Sequence, residues 1–174
     1  MLIISTYPGN VSIFEAILNM KKISMTTILS LDLGTTTGWA LSKNGEIRSG
    51  SVSFKDTPFD SKDSKYTKLR RWLENQKEHY GIDAIVYEAV TMLHKGSSAA
   101  HTYGGFMATV QMFGDHHGIS YEGVSVGTIK KFMTGKGNAN KTDMIKAVKS
   151  KGHQPKDDNE ADALALLYWR MNLS

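Results

Sequence analysis

Acidic residues stand in three stretches of the sequence that otherwise look like protein core. They are Asp32 in the apolar run 28–33, Glu88 at the end of the run 84–88, and Asp162 inside the helical segment 157–169. Burying an unpaired carboxylate costs several kcal/mol, so each of these acids needs a partner. A shared divalent cation is the most economical partner, because nearby carboxylates repel unless a cation separates them.

The segment that carries Asp162 offers further oxygen ligands. Asp158 and Asn159 precede Asp162 by four and three residues, so a helix places them on the same face. An acid in the first turn of a helix is also an ordinary partner of the helix dipole, and an Asp at a strand end can simply cap a turn. The turn interpretation remains open for Asp32, which stands two residues before Gly34.

Carboxylate oxygens favour hard cations, so the expected metal is Mg²⁺, with Mn²⁺ as a substitute. The absence of cysteine excludes thiolate ligands and disulfides. Two such ions about 4 Å apart would activate a water and stabilise a leaving 3′ oxygen. The acids therefore predict metal-assisted phosphodiester cleavage with two ions per active site.

A basic, glycine-rich stretch over 134–141 supplies a second kind of chemistry. Glycines between lysines let backbone amides and ammonium groups approach phosphates closely. The stretch does not have the Walker spacing, and a solvated loop is the alternative interpretation. We predict DNA contacts from the lysines of this stretch and of the helices predicted on either side of it, over 127–133 and 141–151: Lys130, Lys131, Lys136, Lys141 and Lys146.

The elements that must position these residues are predicted from periodicity and turn signals. Asn44-Gly45 predicts a hairpin between strands 37–41 and 46–54, which extends the strand of Asp32 into a three-stranded meander. Helical spacing over 63–80 and 97–117 predicts crossover helices before the strands 84–88 and 119–126. A strand after a crossover helix usually pairs parallel with an earlier one, which would bring Glu88 beside Asp32. Gly104-Gly105 in the second helix suggests that another backbone approaches it closely.

Length and composition bound the remaining possibilities. A chain of 174 residues suffices for one domain with a real core, and its net charge of +4 is compatible with a polyanionic partner. No apolar run reaches the ~18 residues of a membrane span. Residues 1–24 differ in character from the rest of the chain, so we expect an N-terminal extension there, Met25 as the natural start, and a single nuclease domain over 25–174.

Four motifs, in this order, resemble RuvC-type Holliday-junction resolvases. They are Asp-Leu-Gly-x-x-x-x-Gly-Trp-Ala from Asp32, the strand ending in Glu88, Gly-Lys-Gly-Asn-Ala-Asn-Lys over 135–141, and Glu-Ala-Asp-Ala-Leu-Ala over 160–165. The resemblance spans about residues 26–170. It implies an α/β RNase H-like fold with a mixed five-stranded sheet flanked by helices. It also implies a cytoplasmic homodimer, from a bacterium or a phage-infected cell, that binds a four-way DNA junction and nicks two strands. The products would carry 5′-phosphate and 3′-hydroxyl ends.

The resemblance assigns roles residue by residue. Asp32, Glu88 and Asp162 fall on the acidic positions of the family, and Lys141 falls on its loop lysine. The family has an acid or His where this chain has Asn159, so Asp158 either substitutes for it or the second ion is held less tightly. Helix 97–117 would form the dimer interface. Thr91 and Met92 replace the aromatic wedge of the family, and the compact length resembles phage or prophage versions.

Three other functions compete with this interpretation. Asp-Leu-Gly-Thr-Thr-Thr-Gly also resembles the phosphate loop of the actin, Hsp70 and sugar-kinase superfamily, but that ATPase fold needs two such domains around its nucleotide. The neutral Asn159 favours a non-catalytic protein that binds branched DNA. A related nuclease could act on other branched DNA or on RNA.

Overall fold

The computed structural model describes residues 26–61, 64–90 and 96–173, except for the side chains of residues 96 and 97. The predicted extension 1–24, Met25, Thr91 and Met92 lie outside the described residues. The described elements, in chain order, are β1 (Ile28–Asp32), β2 (Thr36–Lys43), β3 (Glu46–Ser53), α1 (Ser64–Tyr80), β4 (Ala84–Ala89), α2 (Gly96–His117), β5 (Ser120–Ser125), α3 (Val126–Thr134), α4 (Lys141–Ser150) and α5 (Asp158–Asn172).

The five strands form one mixed sheet in the order β3-β2-β1-β4-β5. The meander β1-β2-β3 is antiparallel, whereas β4 pairs parallel with both β1 and β5. Asn44 and Gly45 both have positive φ, 53° and 84°, which is the conformation that a tight two-residue hairpin turn requires. The predicted sheet, hairpin and parallel crossover are therefore confirmed.

Side-chain alternation gives the sheet two different faces. Leu29, Leu31 and Ile85 pack against α1 and α2 on one face. On the other face, Ile28 and Val86 belong to a second cluster with α3, α4 and α5. Asp32 and Glu88 lie in register with the second set, so both point to the face that α5 covers.

Helix α5 is the central element of that face. Its residues Ala161 and 163–167 are buried, and it contacts β1, β2, β3 and β4 as well as α3 and α4. The helix lies unusually close to β2 at Gly38, where an added Cβ would stand 1.9 Å from the backbone oxygen of Asn159. Only glycine permits this approach, which fixes the start of α5 over the sheet.

Helices α1 and α2 cover the opposite face with Leu69, Leu73 and Phe106 in the core. A Cβ on Gly105 would stand 2.4 Å from the Tyr66 ring, and nothing lies within 4 Å of the corresponding position on Gly104. Within the described residues, an aromatic side chain and not another backbone lies against Gly105, and for Gly104 the close approach of another backbone stays a prediction. None of the described helices is long and apolar enough to cross a membrane.

Candidate active site

Asp32 and Glu88 lie next to each other at one edge of the sheet. Leu31 pairs with Tyr87 in the parallel register of β1 and β4, and the two acids follow at the next position on each strand. Tyr103 on α2 secures the end of β4, since its hydroxyl donates to the backbone oxygen of Glu88 (2.8 Å) and accepts from the backbone nitrogen of Val90 (3.1 Å). The sheet itself thus positions the first two predicted ligands.

The electrostatic surroundings of Asp32 show that the predicted acids share one site. Burial raises the pKa of Asp32 well above its usual value, and the negative charges of Glu88, Asp162 and Asp158 raise it further. The ammonium group of Lys141 acts in the opposite direction. Residues from β1, β4, α4 and α5, far apart in the sequence, therefore lie within electrostatic range of a single carboxyl group.

Asp162 responds to the same cluster. Burial is the main cause that raises its pKa from 3.8 to about 6, with a further contribution from the charge of Asp158. Lys130 and Lys141 lower the pKa of Asp162, so both lysines lie near the acids. This part of the predicted DNA-contacting set adjoins the predicted metal ligands.

Lys141 and Asp158 form an ion pair at the rim of the site. The ammonium group of Lys141 donates to Oδ2 of Asp158, and this bond is the main cause that lowers the pKa of Asp158. The same contact raises the pKa of Lys141, to which Asp162 and Asp32 also contribute. Lys141 is the first residue of α4, whose start is capped by the side chain of Asn140 accepting from the backbone nitrogen of Asp143 (2.9 Å).

Asp158 and Asn159 differ in their relation to the other acids. The carboxylate of Asp158 raises the pKa of both Asp32 and Asp162, so its charge belongs to the cluster. Asn159 is half-buried, and its backbone oxygen lies against Gly38. The close contact of Asn159 is therefore made by its backbone.

The donor set fits a hard divalent cation. Every candidate ligand is a carboxylate or amide oxygen, and the raised pKa values of Asp32 and Asp162 reflect burial and crowded negative charge that a cation would neutralise. No group of three or more His, Asp or Glu side chains among the described residues is already arranged to hold an ion. The acids are gathered on one face at one edge without forming a closed cage.

Two of the predicted DNA-contacting lysines frame a depression between α3 and α4. Lys136 and Lys146 line a volume of about 270 Å³ together with Thr134, Asp143 and Ala147. The hydroxyl of Thr134 donates to the backbone oxygen of Lys130 (2.8 Å), and it lies 3.2 Å from the backbone nitrogen of Lys136. The loop between α3 and α4 is therefore tied to α3, and Lys131, Lys136, Lys141 and Lys146 are exposed.

A further set of polar contacts, which sequence reasoning missed, attaches α5 to the sheet. The hydroxyl of Ser30 donates to the backbone oxygens of Ala163 (2.8 Å) and Ala40 (3.0 Å). On β3, Ser49 and Ser51 hydrogen-bond to acids of the α5 start. Serine at alternate positions of a strand was the available signal, but the sequence does not say which helix the hydroxyls meet.

The sheet order, the strand directions and the acids at the carboxyl ends of β1 and β4 define an RNase H-like α/β fold. Solved structures that share it include the following three. RuvC from Thermus thermophilus superimposes with a TM-score of 0.67 at 18% identity, over 84% of this chain and 97% of that one. T. thermophilus RuvC in complex with a Holliday junction substrate gives 0.70 at 18% identity, over 84% and 96%. The yeast mitochondrial Holliday junction resolvase Ydc2 gives 0.62 at 11% identity, over 87% and 82%.

These likenesses show the fold, which is that of RuvC. No protein-family model and no curated protein matches the chain. The predicted fold class is thus confirmed, and the roles of individual residues stay predictions.

Proposed function

We propose that this protein is a metal-dependent endonuclease that resolves four-way DNA junctions by paired phosphodiester hydrolysis. The observation that carries the proposal is the gathering of Glu88, Asp162 and Asp158 around the buried carboxyl group of Asp32, at the carboxyl ends of β1 and β4. The fold shared with junction-bound RuvC and with the Holliday junction resolvase Ydc2 supports the choice of substrate. The products carry 5′-phosphate and 3′-hydroxyl ends.

Asp32, Glu88 and Asp162 would hold the metal, with Asp158 as the fourth ligand in place of Asn159. Two ions of Mg²⁺ or Mn²⁺ bound there would supply an activated water and would stabilise the leaving 3′ oxygen. Metal titration would measure the number of ions bound. Asp158 is favoured because its charge reaches both Asp32 and Asp162. Lys141 pairs with the Asp158 carboxylate. Its ammonium group would also be available to a neighbouring phosphate.

The lysine surface from α3 to α4 would contact the DNA backbone. Lys136 and Lys146 line one depression, and Lys130 and Lys141 lie beside the acids. Ammonium groups next to the acids would orient a phosphodiester towards them. Lys131 extends the same surface.

Paired nicking needs two active sites, and a homodimer through α2 would supply them. Tyr66, Met112 and Phe113 line a groove of about 290 Å³ between α1 and α2, and 72% of Met112 is exposed. The groove lies on the face of the sheet away from the acids, so pairing there leaves both sites open. Light scattering of the purified protein tests the dimer, and Met112→Glu should shift it towards monomer. We place this activity in the cytoplasm of a bacterial or phage-infected cell.

The decisive experiment compares labelled four-way junction, linear duplex and RNA–DNA hybrid in Mg²⁺, with wild type and Asp32→Asn. Symmetric nicks on the junction alone, lost in the variant, are the expected result. Equal cutting of all three substrates would reject junction specificity. Tight junction binding without nicking in Mg²⁺ or Mn²⁺ would instead identify a non-catalytic junction-binding protein, the alternative that the neutral Asn159 favours.

A further inference from the structure

We infer that Ser49 and Ser51 of β3 are positioning residues that hold the start of α5, and with it Asp162, against the sheet for metal binding. This role rests on the proposed metal site. It gives a function to an edge strand that supplies no ligand of its own. The two serines and their acidic partners on α5, Glu160 and Asp157, form what we call the serine clamp.

The first arm of the clamp is a buried carboxylate. Glu160 is 5% exposed and lies two residues before Asp162. Its Oε1 accepts from the hydroxyl of Ser49 (2.7 Å), and its Oε2 accepts from the backbone nitrogen of Lys156 (2.8 Å). Because both oxygens are occupied by donors outside the acid cluster, Glu160 acts as an anchor and not as a metal ligand.

The second arm lies at the cap of the helix. Asp157 caps α5, since its Oδ1 accepts from the backbone nitrogen of Glu160 (2.8 Å). Its Oδ2 accepts from the hydroxyl of Ser51 (2.5 Å). Ser49 and Ser51 are two residues apart on β3, so they point to the same face and meet neighbouring parts of the same helix start.

The clamp matters for the site because the candidate ligands are divided between two bodies. Asp32 and Glu88 belong to the sheet, whereas Asp158 and Asp162 belong to α5. The serine clamp contacts α5 from β3, which is separated from β1 by β2. The hydroxyl of Ser30 on β1 contacts the helix further along, at Ala163. Without the clamp, the first turn of α5 would retain its close packing at Gly38 and the ion pair between Lys141 and Asp158.

Metal binding measures this role more directly than activity does. We expect Ser49→Ala to weaken Mn²⁺ binding by about tenfold, the lower end of what loss of a residue that orients metal ligands typically costs. Electron paramagnetic resonance titration of the DNA-free protein would measure it. Ser49→Thr keeps the hydroxyl and should restore binding. Ser53→Ala is the matched control, because Ser53 follows on the same strand face, is exposed, and makes no hydrogen bond to α5 within the described part of the chain.

Unchanged Mn²⁺ affinity in Ser49→Ala would overturn the inference, even if the variant is less stable. Should Ser49→Ala fail to fold, Ser51→Ala takes its place, because Ser51 is exposed, and a measurable but smaller loss of Mn²⁺ affinity is expected. Junction nicking is scored separately. If the wild type nicks the junction and the clamp variants bind Mn²⁺ as well as the wild type does, the clamp alone is overturned. If the wild type binds Mn²⁺ but does not nick, and Ser49→Ala binds Mn²⁺ more weakly, the nuclease is rejected and the clamp is supported. Wild type that binds no Mn²⁺ overturns both.

Discussion

The ammonium group of Lys141 donates a hydrogen bond to the carboxylate of Asp158. Lys141 belongs to the predicted DNA surface and Asp158 to the predicted metal site, so the contact joins the two. The ammonium group of Lys141 opposes the crowding of negative charge around Asp32 and Asp162, whereas the carboxylate of Asp158 adds to it. A metal cation would therefore compete with Lys141 for the Asp158 carboxylate, and a DNA phosphate would compete with Asp158 for the Lys141 ammonium group. This relation makes the two halves of the ion pair separable by mutation.

Replacing Lys141 with Met should move metal binding and DNA cleavage in opposite directions. Loss of a positive charge next to the acids should strengthen Mn²⁺ binding to the DNA-free protein about fivefold, from roughly 1 kcal/mol of removed repulsion. Nicking of the junction should fall, because the phosphate contact is lost. Paired metal titration and cleavage assays check this, and weaker Mn²⁺ binding in the variant would contradict it.

The acid that completes the site can be identified with two variants. Asp158→Asn should lower metal affinity by roughly tenfold or more, because it removes a charge that acts on both Asp32 and Asp162. Asn159→Ala should change metal affinity much less, since the backbone of Asn159 makes its close contact with Gly38. Calorimetric titration with Mn²⁺ compares them directly. The reverse order of effects would assign the fourth place to Asn159.

The raised pKa of Asp162 predicts a pH-dependent stability of the metal-free protein. The folded chain holds this proton more tightly than the unfolded chain, so stability contributed by the protonated group is lost as pH rises from 3.8 to about 6. Asp162→Asn should therefore be more stable than wild type at pH 7.5, by at most about 3 kcal/mol. The difference should vanish near pH 4. Urea unfolding at both pH values measures it, and Mg²⁺ should stabilise wild type more than the variant.

Gly38 offers a test of how closely α5 must approach the sheet. Gly38→Ala would place a Cβ 1.9 Å from the backbone oxygen of Asn159, so we expect a loss of several kcal/mol of stability and of nicking. Gly104→Ala is the control, because nothing lies within 4 Å of its added Cβ and α2 should gain up to about 1 kcal/mol. Thermal unfolding of both variants checks the contrast. Equal stabilities would show that α5 can shift without cost.

The lysine surface should reveal itself in the salt dependence of junction binding. Lys136→Ala and Lys146→Ala should each reduce the slope of log affinity against log salt by about 1, the value for one lost phosphate contact. Arg71→Ala, an exposed cation on α1 over the other face of the sheet, should leave the slope unchanged. Fluorescence anisotropy in Ca²⁺ at several salt concentrations provides the measurement. Unchanged slopes in both lysine variants would remove the loop from the DNA interface.

Local patterns were sufficient to predict much of this fold. The Asn44-Gly45 turn, the alternating strands and the crossover before β4 each depend on neighbouring residues, so they could be read from the sequence. The approach of Glu88 to Asp32 was also predictable, because a parallel pairing brings strand ends to the same edge.

The remaining features depend on how α5 is rotated about its axis and where it lies along the strands of the sheet. Ser49 meets Glu160 across 111 positions of the chain, and Ser30 meets Ala163 across 133. Strand alternation fixes the face of a serine but not its helical partner. For the same reason, periodicity could not decide between Asp158 and Asn159, which differ by about 100° around the helix. The neighbour of Gly105 could not be predicted either, because small residues in a helix do not tell whether a backbone or an aromatic ring fills the space.

The position of α5 along the chain has a consequence for how the protein is made. Asp32 is among the first described residues to be synthesised, and α5 is the last described helix. A nascent chain that has already formed the sheet still lacks Asp158 and Asp162, and its α5 face is uncovered. The proposed nuclease would thus acquire cutting activity only after α5 has been synthesised, so a ribosome-bound intermediate without that helix would be harmless to nearby DNA.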